Sequence, residues 1–261
     1  MTNINIYNED CFDTMHKMVC DNKKVNIVLT SPPYNTGRNS TSKRSRDNFE
    51  SRYDIHIDNM TDEEYINWTI ELFNMYDNIL EKNGVILYNI SYGNENPNLM
   101  WLVMSEIISR TNFMIADCII WKKNSALPNN VSHNKLTRIT EFVFVICRKN
   151  EYKTFQCNKK VKSVSKTGQK YYENVFNFIE AKNNDGVCEY NKATYSSDLC
   201  LKLLNIYCKD GDVIYDSFNG SGTTGVACKM FNNGNNSLEY IGSEISENQV
   251  KFSLERINNI C

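Results

Sequence analysis

The run Val25-Asn26-Ile27-Val28-Leu29 passes without a spacer into Thr30-Ser31-Pro32-Pro33-Tyr34-Asn35, and this junction constrains the fold more than any other stretch. A short, nearly continuous apolar run suits a strand buried on both faces. Two consecutive prolines cannot continue a strand ladder and cannot freely begin a helix, so the chain must leave the strand in a stiff, extended turn. Ser31 and Tyr34 are then held at the carboxyl end of a strand, the edge where open α/β sheets bind ligands. An aromatic ring beside exposed backbone carbonyls suits a flat substrate. The same residues suit a structural Pro-Pro turn with a packed tyrosine equally well, and the rest of the chain has to decide.

Strand and helix patterns alternate around this junction. Ile4 to Tyr7 is a short strand, and Asp10 stands as an N-cap before a helix over Phe12 to Met18. Thr61-Asp62-Glu63-Glu64 is a capping box opening a helix whose apolar face carries Tyr65, Trp68, Leu72, Tyr76, Ile79 and Leu80, with Lys82-Asn83-Gly84 as its stop signal. Val85 to Ile90 is a buried strand, and a helix over Asn98 to Arg110 follows Pro97. Phe113 to Lys122 and Ile139 to Arg148 are β-branched and aromatic runs about a polar loop, suited to an antiparallel pair at one sheet edge. Ser196 or Ser197 caps a helix to Tyr207, and Asp212 to Asp216 is a strand. A helix then ends near Asn232, Leu238 to Gly242 is a strand and Ser246 to Ile257 a closing helix. The fold class this predicts is α/β, a doubly wound, Rossmann-like, mostly parallel sheet.

A chain of 261 residues is long enough for one large domain or two small ones. No apolar run approaches the ~18 residues that cross a bilayer, and Met1 to Asn5 carries no basic and apolar leader, so an intracellular protein without membrane partners is expected. The ten cysteines include no C-x-x-C pair and the three histidines sit at no ligand spacing to them, so reduced cysteines and no metal site are expected. The net charge of −2 argues against general polyanion binding. Locally the balance is different. Gly37 to Arg52 holds Arg38, Lys43, Arg44, Arg46 and Arg52 against Asp47 and Glu50, and Arg148 to Lys170 holds eight basic residues, Lys159, Lys160 and Lys162 among them, against Glu151. Two such segments suit a phosphate backbone, although a solvated surface run has the same composition.

A second motif lies late in the chain. Gly220-x-Gly222-x-x-Gly225 has dinucleotide-binding spacing, and Glu244 ends the following strand, where a carboxylate accepts hydrogen bonds from ribose hydroxyls. A tight strand-to-helix turn with no ligand would have the same glycines. Nicotinamide dehydrogenases normally begin with this motif, whereas here the sheet must be completed by the segments before it. The Gly-Lys-Ser/Thr ending of a phosphate-binding loop is absent, which disfavours triphosphate hydrolysis.

Together, Thr30-Ser31-Pro32-Pro33-Tyr34 early and Asp216-Ser217-Phe218-Asn219-Gly220-Ser221-Gly222-Thr223-Thr224 late resemble the DNA amino-methyltransferases of the permuted β class. The resemblance extends over Asn83 to Tyr88, Ile120 to Lys123, Thr140 to Phe142 and Tyr240 to Glu244. It implies a circularly permuted methyltransferase topology that uses S-adenosylmethionine. Residues 1–148 would form the catalytic half and 193–261 the cofactor half of one domain, with 149–192 an inserted target-recognition segment. Ser31 and the Pro32 carbonyl would accept hydrogen bonds from the exocyclic amine of a base, Pro33 would stiffen them and Tyr34 would stack on the ring. Asp10, Cys11, Thr30, Asp216, Phe218, Asn219, Gly220, Ser221, Gly222, Thr223, Thr224 and Glu244 would hold the cofactor. Arg38, Lys43, Arg44, Arg46, Lys159, Lys160 and Lys162 would meet double-stranded DNA, from which the base must flip out. A serine at the first motif position usually accompanies cytosine N4 methylation and an aspartate adenine N6 methylation, so cytosine is favoured over adenine.

The chain departs from the family pattern at two places. Asp216-Ser217-Phe218 stands for Asp-Pro-Phe, leaving a less rigid turn, and Lys192-Ala193-Thr194-Tyr195 stands for the usual His-Pro. No Pro-Cys pair is present for methylation at ring carbon. A cognate restriction endonuclease and a second copy of the chain are further partners the resemblance leaves open. A nicotinamide-dependent oxidoreductase would leave the Pro-Pro motif and basic segments unexplained. A non-catalytic DNA-binding protein would have no use for Asp216, the glycine turn and Glu244.

Overall fold

The computed structural model describes residues 3–35, 60–93, 96–186, 188, 194–232 and 237–260. Arg38, Lys43, Arg44, Arg46, Lys192 and Ala193 lie outside them. Strand β1, Ile4–Tyr7, leads to helix α1, Cys11–Cys20, which Asp10 caps by accepting from Phe12 N at 2.8 Å. Strand β2 is Val25–Thr30. Helix α2, Asp62–Ile79, starts from the full capping box of Thr61 and Glu64. It ends before the expected stop signal and passes directly into β3, Leu80–Ile90. Lys82-Asn83-Gly84 instead forms an irregularity inside that strand. Asn83 has φ 61°, and a Cβ on Gly84 would stand 2.9 Å from the Asn26 carbonyl of β2, so the turn-forming residues serve strand pairing.

Helix α3, Leu99–Arg110, precedes β4, Phe113–Lys123, and β5, Thr140–Arg148. A small hairpin, β6 Val161–Val164 and β7 Lys170–Tyr172, is followed by β8, Phe178–Ala181. The last part comprises α4 Ser197–Tyr207, β9 Val213–Asp216, α5 Thr223–Asn232, β10 Glu239–Ser243 and α6 Glu247–Asn258. The eight-stranded sheet has the order β1-β10-β9-β2-β3-β5-β4-β8, and β5 is antiparallel to both neighbours. The other pairs are parallel. The expected antiparallel pair is therefore present, with β8 added outside it.

Side chains of the central strands alternate between two helical layers. Val28, Ile86 and Tyr88 pack with α1, α2 and α3, while Ile27, Leu29, Val85 and Leu87 pack with α4 and α5. A strand covered on both faces has no polar side, which is why these runs are continuously apolar. Within the eight-stranded sheet every strand except β5 points its carboxyl end to one edge, and β5 brings its amino end, Thr140, to the same edge.

The described residues from 149 to 186 contribute both a separate two-stranded hairpin and the outer strand β8 of the main sheet. Gln156 N donates to Asn83 O and Asn158 N to Ile206 O, both at 2.7–2.8 Å, which fixes this stretch at the opposite, amino edge of the sheet. The hairpin begins there, Glu173 N donating to Lys160 O, and Asn177 then returns beside Asp117 and Cys118 to start β8. Lys159, Lys160 and Lys162 are exposed on this hairpin and its approach. Lys123, at the carboxyl edge, lies six positions beyond Asp117 in β4, ~20 Å along a strand.

Candidate active site

A cavity of about 860 Å³ opens at the carboxyl edge of the sheet. Of the residues expected at a site, Asp10, Cys11, Ser31, Pro32, Pro33, Tyr34, Phe218, Asn219, Gly220, Ser221, Thr223 and Glu244 all line it. Thr30, Asp216, Gly222 and Thr224 stand behind this wall and shape it. Lys159 lines a separate, smaller cavity against Ile206 and Tyr207.

The Pro-Pro turn is held from several sides. Tyr65 Oη donates to Pro33 O at 2.6 Å, and Asn35, at φ 52°, donates from Nδ2 to Met60 O at 2.8 Å. The Tyr34 hydroxyl lies 3.2 Å from Ser31 Oγ, 3.2 Å from Asn89 Oδ1 and 3.3 Å from Glu141 Oε2. Asn89 is oriented by donating from Nδ2 to Phe142 O at 3.0 Å, and Glu141 pairs with Lys123. A hydrogen-bond chain therefore runs from Lys123 through Glu141 and Tyr34 to Ser31.

The second wall is the turn from β9 into α5. Asp216 is fully buried. Its Oδ1 accepts from Thr30 Oγ1 at 2.7 Å and Phe218 N at 3.1 Å, tying β9 to β2, while Oδ2 has no hydrogen-bond partner among the described residues. Burial pushes its carboxyl pKa up, only partly countered by the hydroxyls and the Phe218 N–H. Ser217 does not loosen the turn as its replacement of proline suggested. Its hydroxyl bonds to Tyr76 Oη and lies 3.2 Å from Thr30 Oγ1, so hydrogen bonds supply the stiffness. Tyr195, standing near the missing His-Pro, lines the cavity and bonds through its hydroxyl to Thr224.

Gly222 and Gly225 pack against the closing helix, while Gly220 lines the cavity. A Cβ on Gly222, at φ 78°, would sit 2.7 Å from Ser253 Cβ, and one on Gly225 would sit 2.5 Å from Ile257 Cδ1. Both contacts are with α6. Asn219 also faces this support, accepting from Tyr240 Oη at 2.8 Å and donating to Ser253 Oγ at 3.1 Å. Glu244 remains at the wall, where its carboxylate accepts from Gly220 N at 2.8 Å and Ser246 N at 2.9 Å.

S-adenosylmethionine presents a purine, a ribose diol, an ammonium and a carboxylate, and the residues present fit it. Carboxylates of Glu9, Asp10 and Glu244 suit the diol and the ammonium, Phe218 and Ile245 offer apolar surface, and the turn at the α5 N-terminus suits an anion. The Phe218 ring is backed by Trp68 at 5.6 Å between centroids. Cys11 does not offer a nucleophile. Burial, reinforced by Asp10, pushes its thiol pKa well up.

Several residues at the site had no site role assigned from the sequence, although Lys123 and Glu141 fall within segments of the family resemblance. Asn89, Lys123, Arg138 and Glu141 reach the cavity region from the ends of β3, β4 and β5. Arg256 of α6 donates to Ser221 O at 3.0 Å and Thr223 Oγ1 at 3.1 Å, and pairs with Asp185. Asp185 in turn accepts from Ser197 N at 3.0 Å, joining the glycine turn to the start of α4.

Comparisons with known proteins agree with this geometry. Residues 25–255 match the family described as DNA methylase. The type II methyltransferase M.BglII of Bacillus subtilis is 23% identical over 270 residues, covering 96% of this chain and 68% of that protein. The type II methyltransferase M.Cfr9I of Citrobacter freundii is 27% identical over 139 residues, which span 53% of this chain and only 43% of that relative. Among solved structures, the cytosine-N4-specific PvuII DNA methyltransferase superposes with a TM-score of 0.69 at 18% identity, covering 100% of this chain and 89% of that one. The M1.HpyAVI–SAM complex gives 0.64 at 23% identity, covering 97% and 99%. At these identities the structural likeness is one of fold. The family match runs from the strand before the Pro-Pro turn to the helix that clamps the glycine turn, and the chain belongs to the DNA methylase family.

Proposed function

We propose that the chain transfers a methyl group from S-adenosylmethionine to the exocyclic amine of a base flipped out of double-stranded DNA, N4 of cytosine. The observation that carries this reading is that Ser31, Pro32 and Tyr34 share one cavity with Asp10, Phe218, Gly220 and Glu244. When bound, S-adenosylmethionine supplies an electrophilic methyl carbon on a sulfonium. The chain's own task is to prepare a poor nucleophile, because the amine lone pair is delocalised into the ring.

The hydrogen-bond inventory sets the direction of the chain of contacts. Glu141, paired with Lys123, and Asn89 Oδ1 both stand as acceptors, so the single Tyr34 hydroxyl proton is shared between them. The Tyr34 oxygen then accepts the Ser31 proton, and the Ser31 lone pairs turn to the amine. Together with the Pro32 carbonyl they draw on the two amine hydrogens, making the nitrogen more tetrahedral and aiming its lone pair. The Tyr34 ring, tethered by its hydroxyl, supports the base by stacking. The proton that the methylated amine sheds passes to Ser31 Oγ as the Ser31 proton moves to the Tyr34 oxygen and the Tyr34 proton to the Glu141 carboxylate, which is left protonated.

The neutral serine acceptor at position 31, with the family resemblance it carries, favours cytosine. The type II names of the curated relatives support a restriction–modification setting with a cognate endonuclease as a partner. Nucleoside analysis after labelled methyl transfer to duplex DNA tests the assignment. N4-methylcytosine is the expected product. N6-methyladenine would overturn the choice of base, and binding of NAD with no affinity for S-adenosylmethionine would overturn the class.

A further inference from the structure

The loop between β4 and β5, residues 124–139, forms one side of the cavity mouth, with Leu127, Asn129, Leu136 and Arg138 among its lining. Its own polar contacts order it. Asn129 N donates to Thr137 Oγ1 at 2.9 Å, Asn183 Nδ2 donates to Ser125 O at 2.8 Å, and the Arg138 guanidinium lies 4.6 Å from the Tyr92 ring centroid. Yet this ordered loop points apolar side chains outward, with Leu127 92%, Leu136 90% and Val131 99% exposed. Exposed apolar side chains at the rim of a functional cavity, as Leu127 and Leu136 are, mark a contact surface. The charge identifies the partner. Within residues 124–139 Lys135 and Arg138 stand against no Asp or Glu, in a chain whose net charge is −2, while the flanking Lys122 and Lys123 are paired with Glu180 and Glu141.

We propose that loop 124–139 is the element that docks double-stranded DNA. Leu127 and Leu136 enter the gap that the extruded base leaves in the stack, and Lys135 meets the phosphate backbone. The inference rests on the methyltransferase reading, which supplies the flipped base. It also moves the duplex away from the lysine-rich hairpin, whose base is attached at the amino edge of the sheet. A base leaving the stack loses its stacking partners, and an apolar side chain in the vacated space restores part of that contact while leaving water.

The wild type and a Leu127→Ser/Leu136→Ser variant are compared for labelled methyl transfer to plasmid duplex and to the same DNA heat-denatured. The variant is expected to lose about tenfold or more on the duplex, where a base must be extruded, and less than about twofold on single strands. Equal losses on both substrates, or no loss on the duplex, would overturn the wedge. In a second measurement, the salt dependence of binding to a mixed-sequence duplex is followed. Lys135→Gln should reduce the slope of log K against log salt by about 0.9, while Lys160→Gln/Lys162→Gln leaves it unchanged. The reverse pattern would place the duplex on the hairpin and overturn the docking surface. Absence of methyl transfer by the wild type to either DNA would count against the methyltransferase reading, and the salt slopes would then decide the docking surface alone.

Discussion

Ser31 and Tyr34 are coupled through one hydroxyl contact, so their substitutions separate orientation from stacking. Ser31→Ala removes an acceptor for the amine and should lower single-turnover transfer by about 10²-fold, on the scale of losing one preorganised hydrogen-bonding group. Tyr34→Phe keeps the ring but releases Ser31, Asn89 and Glu141, so transfer should fall less than in Tyr34→Ala, which loses both. Equal losses in the two variants would show that the hydroxyl chain, not the ring, is the essential part. Asp216 offers a test of burial. Its carboxyl pKa is raised by desolvation, so the folded state binds that proton more tightly than the unfolded chain does. The associated stability is complete below the unfolded value, ~3.9, and is lost as pH rises through the raised folded value. Asp216→Asn keeps an oxygen for Thr30 Oγ1 and Phe218 N without the buried charge. Denaturant unfolding should find it at least as stable as the wild type near neutral pH, with the advantage shrinking as pH falls toward 4.

The glycine turn, α5 and α6 behave as one unit. Gly225→Ala would drive a Cβ into Ile257 Cδ1 and Tyr240 Cε1, at 2.5 and 2.9 Å, and should destabilise the fold by about 1–3 kcal/mol, with partial recovery in Gly225→Ala/Ile257→Val. Equal destabilisation with and without the Ile257 change would mean that the clash is relieved elsewhere. Arg256→Ala should weaken S-adenosylmethionine binding in a titration, although Arg256 does not line the cavity, because it removes the donors that hold Ser221 and Thr223. The periodicity of residues made these elements readable. Asp10, Thr61, Ser196 and Ser246 each cap the helix they precede. The end of α2 was not readable, because Asn83 and Gly84 have the same local chemistry whether they close a helix or let two strands approach. Long-range pairing of β3 with β2 settles that choice.

The assembled sheet gathers ligand-facing groups from β1, β2, β3, β4, β5, β9 and β10 to one edge, and a ligand bound there should stabilise the fold as a unit. At about a hundred times its Kd, S-adenosylmethionine should add ~2.7 kcal/mol, raising Tm by roughly 5–10 °C, while NAD at the same concentration leaves Tm unchanged. The strand–helix alternation, the Pro-Pro turn and the glycine turn with Glu244 are local patterns, set by steric and hydrophobic preferences within a few residues, and they suffice for the α/β class, while the cofactor follows only from the family resemblance that the two motifs carry. Charge runs are local too, but which face of the molecule they occupy is not. Lys159, Lys160 and Lys162 read as a polyanion site in the sequence, and only the backbone pairing of residues 156 and 158 shows that their segment starts at the amino edge of the sheet. Glu141, Asn89, Lys123 and Arg256 are ordinary polar residues in their own neighbourhoods. They gain roles at the site because strand order and helix packing carry them to Tyr34 and Ser221, across separations that no local preference encodes.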